Sequence, residues 1–324
     1  MSMDKKNLHY AAILFGSTFV IMILAMLFTD FKYPAQSQGT LVFSESFKKG
    51  SDIDKIVIEN REGTITLELK DNLWRVKEMG GYFANTYLIN KLLSNINTST
   101  FYSRRENTPQ SLKKLSLETI HSGTRISTHS GEKKYDSIVI GKQVDNKQYY
   151  FALLENNEIW MISGAFELPQ EAYSWILQPI LELPSSLIET IRFNKDESSV
   201  TIGRSESYQD FSNSDANNIK AKSLMYLLEH LTVDAVENES SFDKKEFELS
   251  QRMEIITFQG LAFNFDFYEN ATHDQTWIQI TLSTTPLPMS IVNDYIKDNK
   301  FLYDGWYFKL PQSSRKILTQ ESLI

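Results

Sequence analysis

A β-rich α+β fold behind one N-terminal transmembrane helix is what the sequence predicts, and three observations predict it. Apolar residues alternate at period two through much of the chain beyond residue 50. Aromatic residues make up 12% of the 324 residues, and flat rings and branched side chains suit pleated, half-buried surfaces. Tyr10 to Phe28 carries no charge, close to the roughly 20 residues an apolar helix needs to cross the hydrocarbon layer.

The expected order is a cytoplasmic N-terminus (1–9), a transmembrane helix in membrane lipid (10–28), a connector (29–50) and two β-rich α+β repeats (51–184 and 185–324). Lys5 and Lys6 precede the apolar run and Asp30 follows it. The positive-inside bias then keeps the N-terminus in the cytoplasm and the bulk of the chain outside. A cleaved signal peptide would need small residues at its end, and Phe28-Thr-Asp-Phe-Lys-Tyr-Pro offers no such site. The connector is polar apart from Leu41-Val42-Phe43.

In the first repeat, Ile56 and Ile58, then Ile65, Leu67 and Leu69, alternate with polar residues as strands do. Asp71-Asn72 is a two-residue turn into Leu73–Val76, and Gly80-Gly81 is another turn before Tyr82. From Asn85 to Ile96 the period changes. Leu88, Ile89, Leu92, Leu93 and Ile96 share a helix face, with Asn85 suited to cap it. A polar stretch, SRRENTPQ, follows. Strands return at Ser137–Ile140, Gln148–Leu154 and Glu158–Ile162, the last after an Asn156-Asn157 turn, and a short helix is expected over Gln170–Leu177.

The second half echoes the first. Ile53, Ile56 and Ile58 recur as Ile188, Ile191 and Phe193, and Thr64–Leu67 as Ser199–Ile202, at one constant offset. Leu92, Leu93 and Ile96 recur as Leu224, Met225 and Leu228, and Phe166-Glu-Leu-Pro-Gln170 as Phe308-Lys-Leu-Pro-Gln312. These echoes predict an internal duplication giving two tandem strand–helix–strand domains rather than a solenoid. Phe263, Phe265 and Phe267, then Ile278, Ile280 and Leu282, alternate with polar residues, and Asp304-Gly305 is expected to turn a hairpin into Trp306.

A net charge of -8 argues against nucleic acid, whose phosphates need a basic face. The absence of cysteine removes disulfides, thiolate metal sites and cysteine nucleophiles. The five histidines, His9, His121, His129, His230 and His273, form no i,i+4 pair and no HExxH motif, and no GxSxG, P-loop or GxGxxG occurs. The acidic run Glu237, Glu239, Asp243, Glu246 and Glu248 lacks EF-hand spacing and encloses Lys244 and Lys245, so a solvated loop is expected there. Trp74, Trp160, Trp175, Trp277 and Trp306 are assigned to core packing. No catalytic, cofactor-binding or metal-binding residue is predicted.

Three stretches carry a resemblance: IDKIVIENREGTITLELKDNLWRV, GYFANTYLINKLLSNI, and the run from SIVIGKQ through FELPQEAYSWILQPILELPSSLIETIRF. Together spanning most of residues 41–193, they resemble the domain-of-unknown-function family 4340, bacterial envelope proteins with an N-terminal anchor that often accompany gliding-motility-type ABC transporters. Asn85 and Ser116 depart from the Asp and Gly expected there. The resemblance implies an accessory, extracytoplasmic role beside a transporter, and with no catalytic motif in the sequence the leading expectation is a non-enzymatic accessory subunit of an ABC-type transporter or related envelope complex. It would be single-pass in the bacterial inner membrane with its main domain periplasmic, and would be partnered by a permease or other envelope subunit. The competing expectations are a tethered binder of envelope polymer or lipid, and an enzyme whose site assembles from distant residues such as His121 or His129.

Overall fold

A computed structural model describes residues 38–43, 53–118, 122–144, 148–195, 198–211, 215–272 and 274–318. The transmembrane expectation for residues 10–28 lies outside them; among the described residues no helix is long and apolar enough to cross a membrane.

Two antiparallel sheets make the fold. The first holds β1 (Lys55–Asn60), β2 (Gly63–Lys70), β3 (Leu73–Val76), β4 (Tyr82–Phe83), β5 (Phe101–Arg105), β6 (Thr124–Ser130), β7 (Lys133–Val144), β8 (Tyr149–Leu154) and β9 (Ile159–Ser163). Their order is β4-β3-β2-β1-β6-β7-β8-β9-β5. The second holds β10 (Ile188–Lys195), β11 (Ser198–Gly203), β12 (Ala235–Asn238), β13 (Phe247–Thr257), β14 (Leu261–Asn270), β15 (Thr276–Thr284) and β16 (Trp306–Lys309), in the order β11-β10-β13-β14-β15-β16-β12. With β3 and β4 set aside, the two orders are the same.

Register agrees as well. Ile56 and Ile58 of β1 face Leu67 and Ile65 of β2, while Ile191 and Phe193 of β10 face Ile202 and Val200 of β11. The strand echoes therefore fall on matching positions. The FxLPQ echo does not. Phe308 lies within β16 opposite Ile278, a place held in the first sheet by Trp160 opposite Ala152, whereas Phe166 lies beyond the end of β9.

Asp71 and Asn72 both take positive φ, as a two-residue hairpin turn whose twist matches the strands requires. The side chain of Asn85 accepts from the backbone N–H groups of Tyr87 and Leu88, capping α1 (Thr86–Thr98), whose Ile89, Leu92 and Ile96 are buried. The counterpart α3 (Asp215–Glu229) buries Leu224, Met225 and Leu228. One hydrophobic core runs through both halves. At its centre the Tyr82 ring meets Trp306 and Phe308 edge-on at 5.1 and 5.5 Å, and its hydroxyl donates to the Leu302 carbonyl at 3.1 Å. Gln178 bridges the same seam, donating to the Val233 carbonyl and accepting from the Val233 N–H.

Four local expectations need correction. Ser103–Arg105, read as part of a polar loop, belongs to β5, an edge strand on which Tyr102 and Arg105 are exposed while Arg104 pairs with Glu158 at 2.6 Å. Thr108 then caps a short helix, α2 (Pro109–Lys114). The helix expected over Gln170–Leu177 is a 3-10 turn at Ala172–Trp175, fixed by the buried Trp175, whose indole N–H donates to the Pro169 carbonyl at 3.0 Å. Asp304-Gly305 leads into β16 from a helical turn at Lys300–Leu302 rather than from a strand. In addition, the apolar patch of the connector is part of the fold: Val42 and Phe43 are buried, and Gly39, Thr40 and Val42 exchange backbone hydrogen bonds with Ser99 and Phe101.

Candidate functional site: clefts and exposed surfaces

A polar cleft of about 500 Å³ opens on the outer face of the first sheet, over β1, β6, β7 and β8. Strand alternation turns Glu59, Arg125, Ser127, His129 and Ser137 to this side. Arg125 pairs with Glu59 at 3.2 Å, and the Ser127 hydroxyl donates to that of Ser137 at 3.0 Å. Burial, with Lys55 and Lys134 adding to it and Asp54 and Glu132 opposing, holds the His129 imidazole below its usual range. It is therefore neutral at pH 7. The two hydroxyls are engaged with each other and not with His129, so the described residues do not assemble a base–nucleophile pair here.

A second cleft, about 480 Å³, lies where β7 bulges between Ile140 and Gln143. The bulge depends on Gly141, because a Cβ there would collide with the Leu115 carbonyl behind α2. Gln143 and Tyr150 line the cleft, but their Nε2 and Oη atoms are sealed beneath its wall with no partner. Burial raises the Tyr150 phenol, and Glu167 adds to it.

Among the described residues, a markedly apolar surface lies on the second half. The backbone of Gly260 takes positive φ under Pro288, with Thr285 and Met289 hydrogen-bonded to Gly260 and Gln259, so the segment before α4 (Ser290–Asn299) is held tightly. This segment and the first turn of α4 present Leu287 at 93%, Met289 at 57% and Ile291 at 65% exposure, while Val292, the next residue of the helix, is buried. Ile291 and Tyr295 form one wall of an adjoining groove of about 200 Å³, and Leu183, Leu187 and Leu261 form much of the rest. Such a surface suits apolar contact rather than chemistry. Sequence reasoning passed over it, although the run Pro286-Leu-Pro-Met-Ser-Ile-Val is apolar but for Ser290.

On the outer face of the second sheet, Phe242, Phe247, Tyr268, Trp277 and Tyr307 pack together, with Phe242 flat on Tyr307 at 4.0 Å. Of the acidic run, Glu237 lies in β12 and Glu248 in β13, and residues 239–246 between them fold over this cluster as a loop. Lys244 pairs with Glu239 at 2.9 Å, and its ammonium lies 5.5 Å from the centre of the Tyr307 ring. The solvated loop expected there is thus strand at both ends, and its middle covers a small core. Among the described residues no group of histidines and carboxylates could hold a metal. The His230 ring lies tilted against Tyr226 at 5.9 Å; His9, His121 and His273 lie outside the described residues. Trp160, Trp175, Trp277 and Trp306 are buried and Trp74 is half-buried.

A family model described as a domain of unknown function, DUF4340, matches residues 74–252. It begins later than the resemblance seen in the sequence and runs past residue 193 into β13, so it takes in parts of both sheets. No curated protein and no solved structure matches the chain.

Proposed function

Because the chain belongs to the DUF4340 family, we propose that it is a membrane-anchored, non-enzymatic accessory subunit that binds the extracytoplasmic part of a transporter permease or related envelope protein. The observation that carries this is the rigidly held apolar face of Leu287, Met289 and Ile291, which a monomer in water has no use for. The connector supports the tether. About ten residues separate Phe28 from Gly39, and a chain of that length reaches no more than about 35 Å, so the folded body is kept close to the apolar run. Confinement to one membrane then raises its effective concentration for neighbours there. We also read the two sheets as a duplicated unit, a view the common strand order and the β1–β2 and β10–β11 registers support.

Purification of the full chain in mild detergent with mass spectrometry tests this. A permease and its ATPase should co-purify, and Ile291→Asp should reduce their recovery at least several-fold while leaving the melting temperature nearly unchanged. Repeated isolation of the chain alone would defeat the proposal.

A further inference from the structure

Strand β11 ends the second sheet: β10 pairs with one side of it, and no strand among the described residues pairs with the other. Its counterpart by order and register, β2, is fully used. Lys195 opposite Ser198 closes a two-residue connection, which makes that pair a hydrogen-bonded one. Bonded pairs then recur every second residue, so the backbone groups of Ser199, Thr201 and Gly203 point away from β10. The same count from Asn60 opposite Gly63 turns Thr66, Glu68 and Lys70 outward on β2. There the Thr66 N–H donates to Glu78 Oε2 at 2.7 Å, while Glu68 and Lys70 pair with Arg75 and Leu73 of β3.

We propose that β11 is the surface on which a second copy of this chain pairs, β11 to β11 and antiparallel. Outward residues must face outward residues. The register that uses all three sets Thr201 opposite Thr201 and Ser199 opposite Gly203. The strand Ser-Ser-Val-Thr-Ile-Gly suits self-pairing: it holds no charge to oppose its own copy and no proline to remove a donor. It also lacks the lysines, prolines and bulges with which isolated sheet edges are normally protected. Six residues alone bury less than the roughly 1,000 Å² of a stable interface, so pairing needs the crowding that a shared membrane gives. In that respect the inference rests on the tether proposed above.

The chain has no cysteine, so Thr201→Cys in the full-length protein supplies a single thiol. With a short bismaleimide added to isolated membranes, this variant should give a band at twice the chain mass, and Thr281→Cys, exposed on β15, should not. Ser199→Pro in the Thr201→Cys background should abolish the band with thermal unfolding unchanged. Should that proline itself lower the melting temperature, Thr201→Lys provides the second test: two differently tagged wild-type copies should co-purify and two lysine variants should not. No doubled band from Thr201→Cys, or a cross-link to a protein of another mass, overturns pairing between copies, the latter giving the edge to a foreign strand. Recovery of the chain in the soluble fraction would instead defeat the tether, and the doubled band would still decide the edge.

Discussion

Asn85 shows how one side chain sets an element. Its Oδ1 takes the N–H groups of Tyr87 and Leu88, two of the four that open every helix unpaired. Asn85→Ala should cost about 1 kcal/mol, a typical cap loss, in urea unfolding, whereas Asn85→Asp should hold or slightly raise stability because a carboxylate also favours the positive helix end. Three buried or half-buried phenols act through pH. Burial first, then neighbouring tyrosines, pushes Tyr268 up to about 12 and Tyr82 and Tyr303 higher still. Each folded-state value lies above the ordinary 10.0, so the unfolded chain loses these protons first. Their contribution is complete below pH 10 and drains away as pH rises toward 12 and beyond. Tyrosinate absorbance from these rings should appear together with loss of circular dichroism, and normal titration in a chain that stays folded would contradict this.

Among the elements, legibility in the sequence followed how strictly local physics dictates the backbone. The Asp71-Asn72 hairpin, the capped α1 and the alternating phenylalanines of β14 were readable because turn chemistry and periodicity fix them without tertiary help. Strand β5 was not, since an edge strand built from Tyr102, Arg104 and Arg105 has the composition of a loop and is a strand only because β9 pairs with it. Helix α4 escaped for another reason: Ile291, Val292, Tyr295 and Ile296 share one face, but the stripe is short and only Val292 of it is fully buried, leaving Ile291 exposed. The apolar surface was therefore the least visible part of the candidate site. Gly80, in the turn between β3 and β4, lies directly against β12 of the second sheet. Its φ is positive and a Cβ would lie 2.9 Å from the Asn238 nitrogen of β12, so Gly80→Ala should destabilise by roughly 1–3 kcal/mol through strain and displacement, measurable by thermal unfolding.

The molecule as a whole has two sheets but one interior. Tyr82, Phe83, Ile180 and Leu181 of the first half are buried in the same core as Leu231, Val236, Trp306 and Phe308 of the second, and the family match spans the division. Calorimetry should therefore show a single transition, and a fragment ending near residue 184 should not fold, because those side chains would be bared together. Two separate transitions would instead make the halves independent. The clasp at Gly39, Thr40 and Val42 has its own consequence. Any tension arriving along the N-terminal strap enters the body beside β5, where three backbone hydrogen bonds to Ser99 and Phe101 stand in its path. Loaded from one end, they would give way one after another, drawing Phe43 out of the interior before either sheet yields.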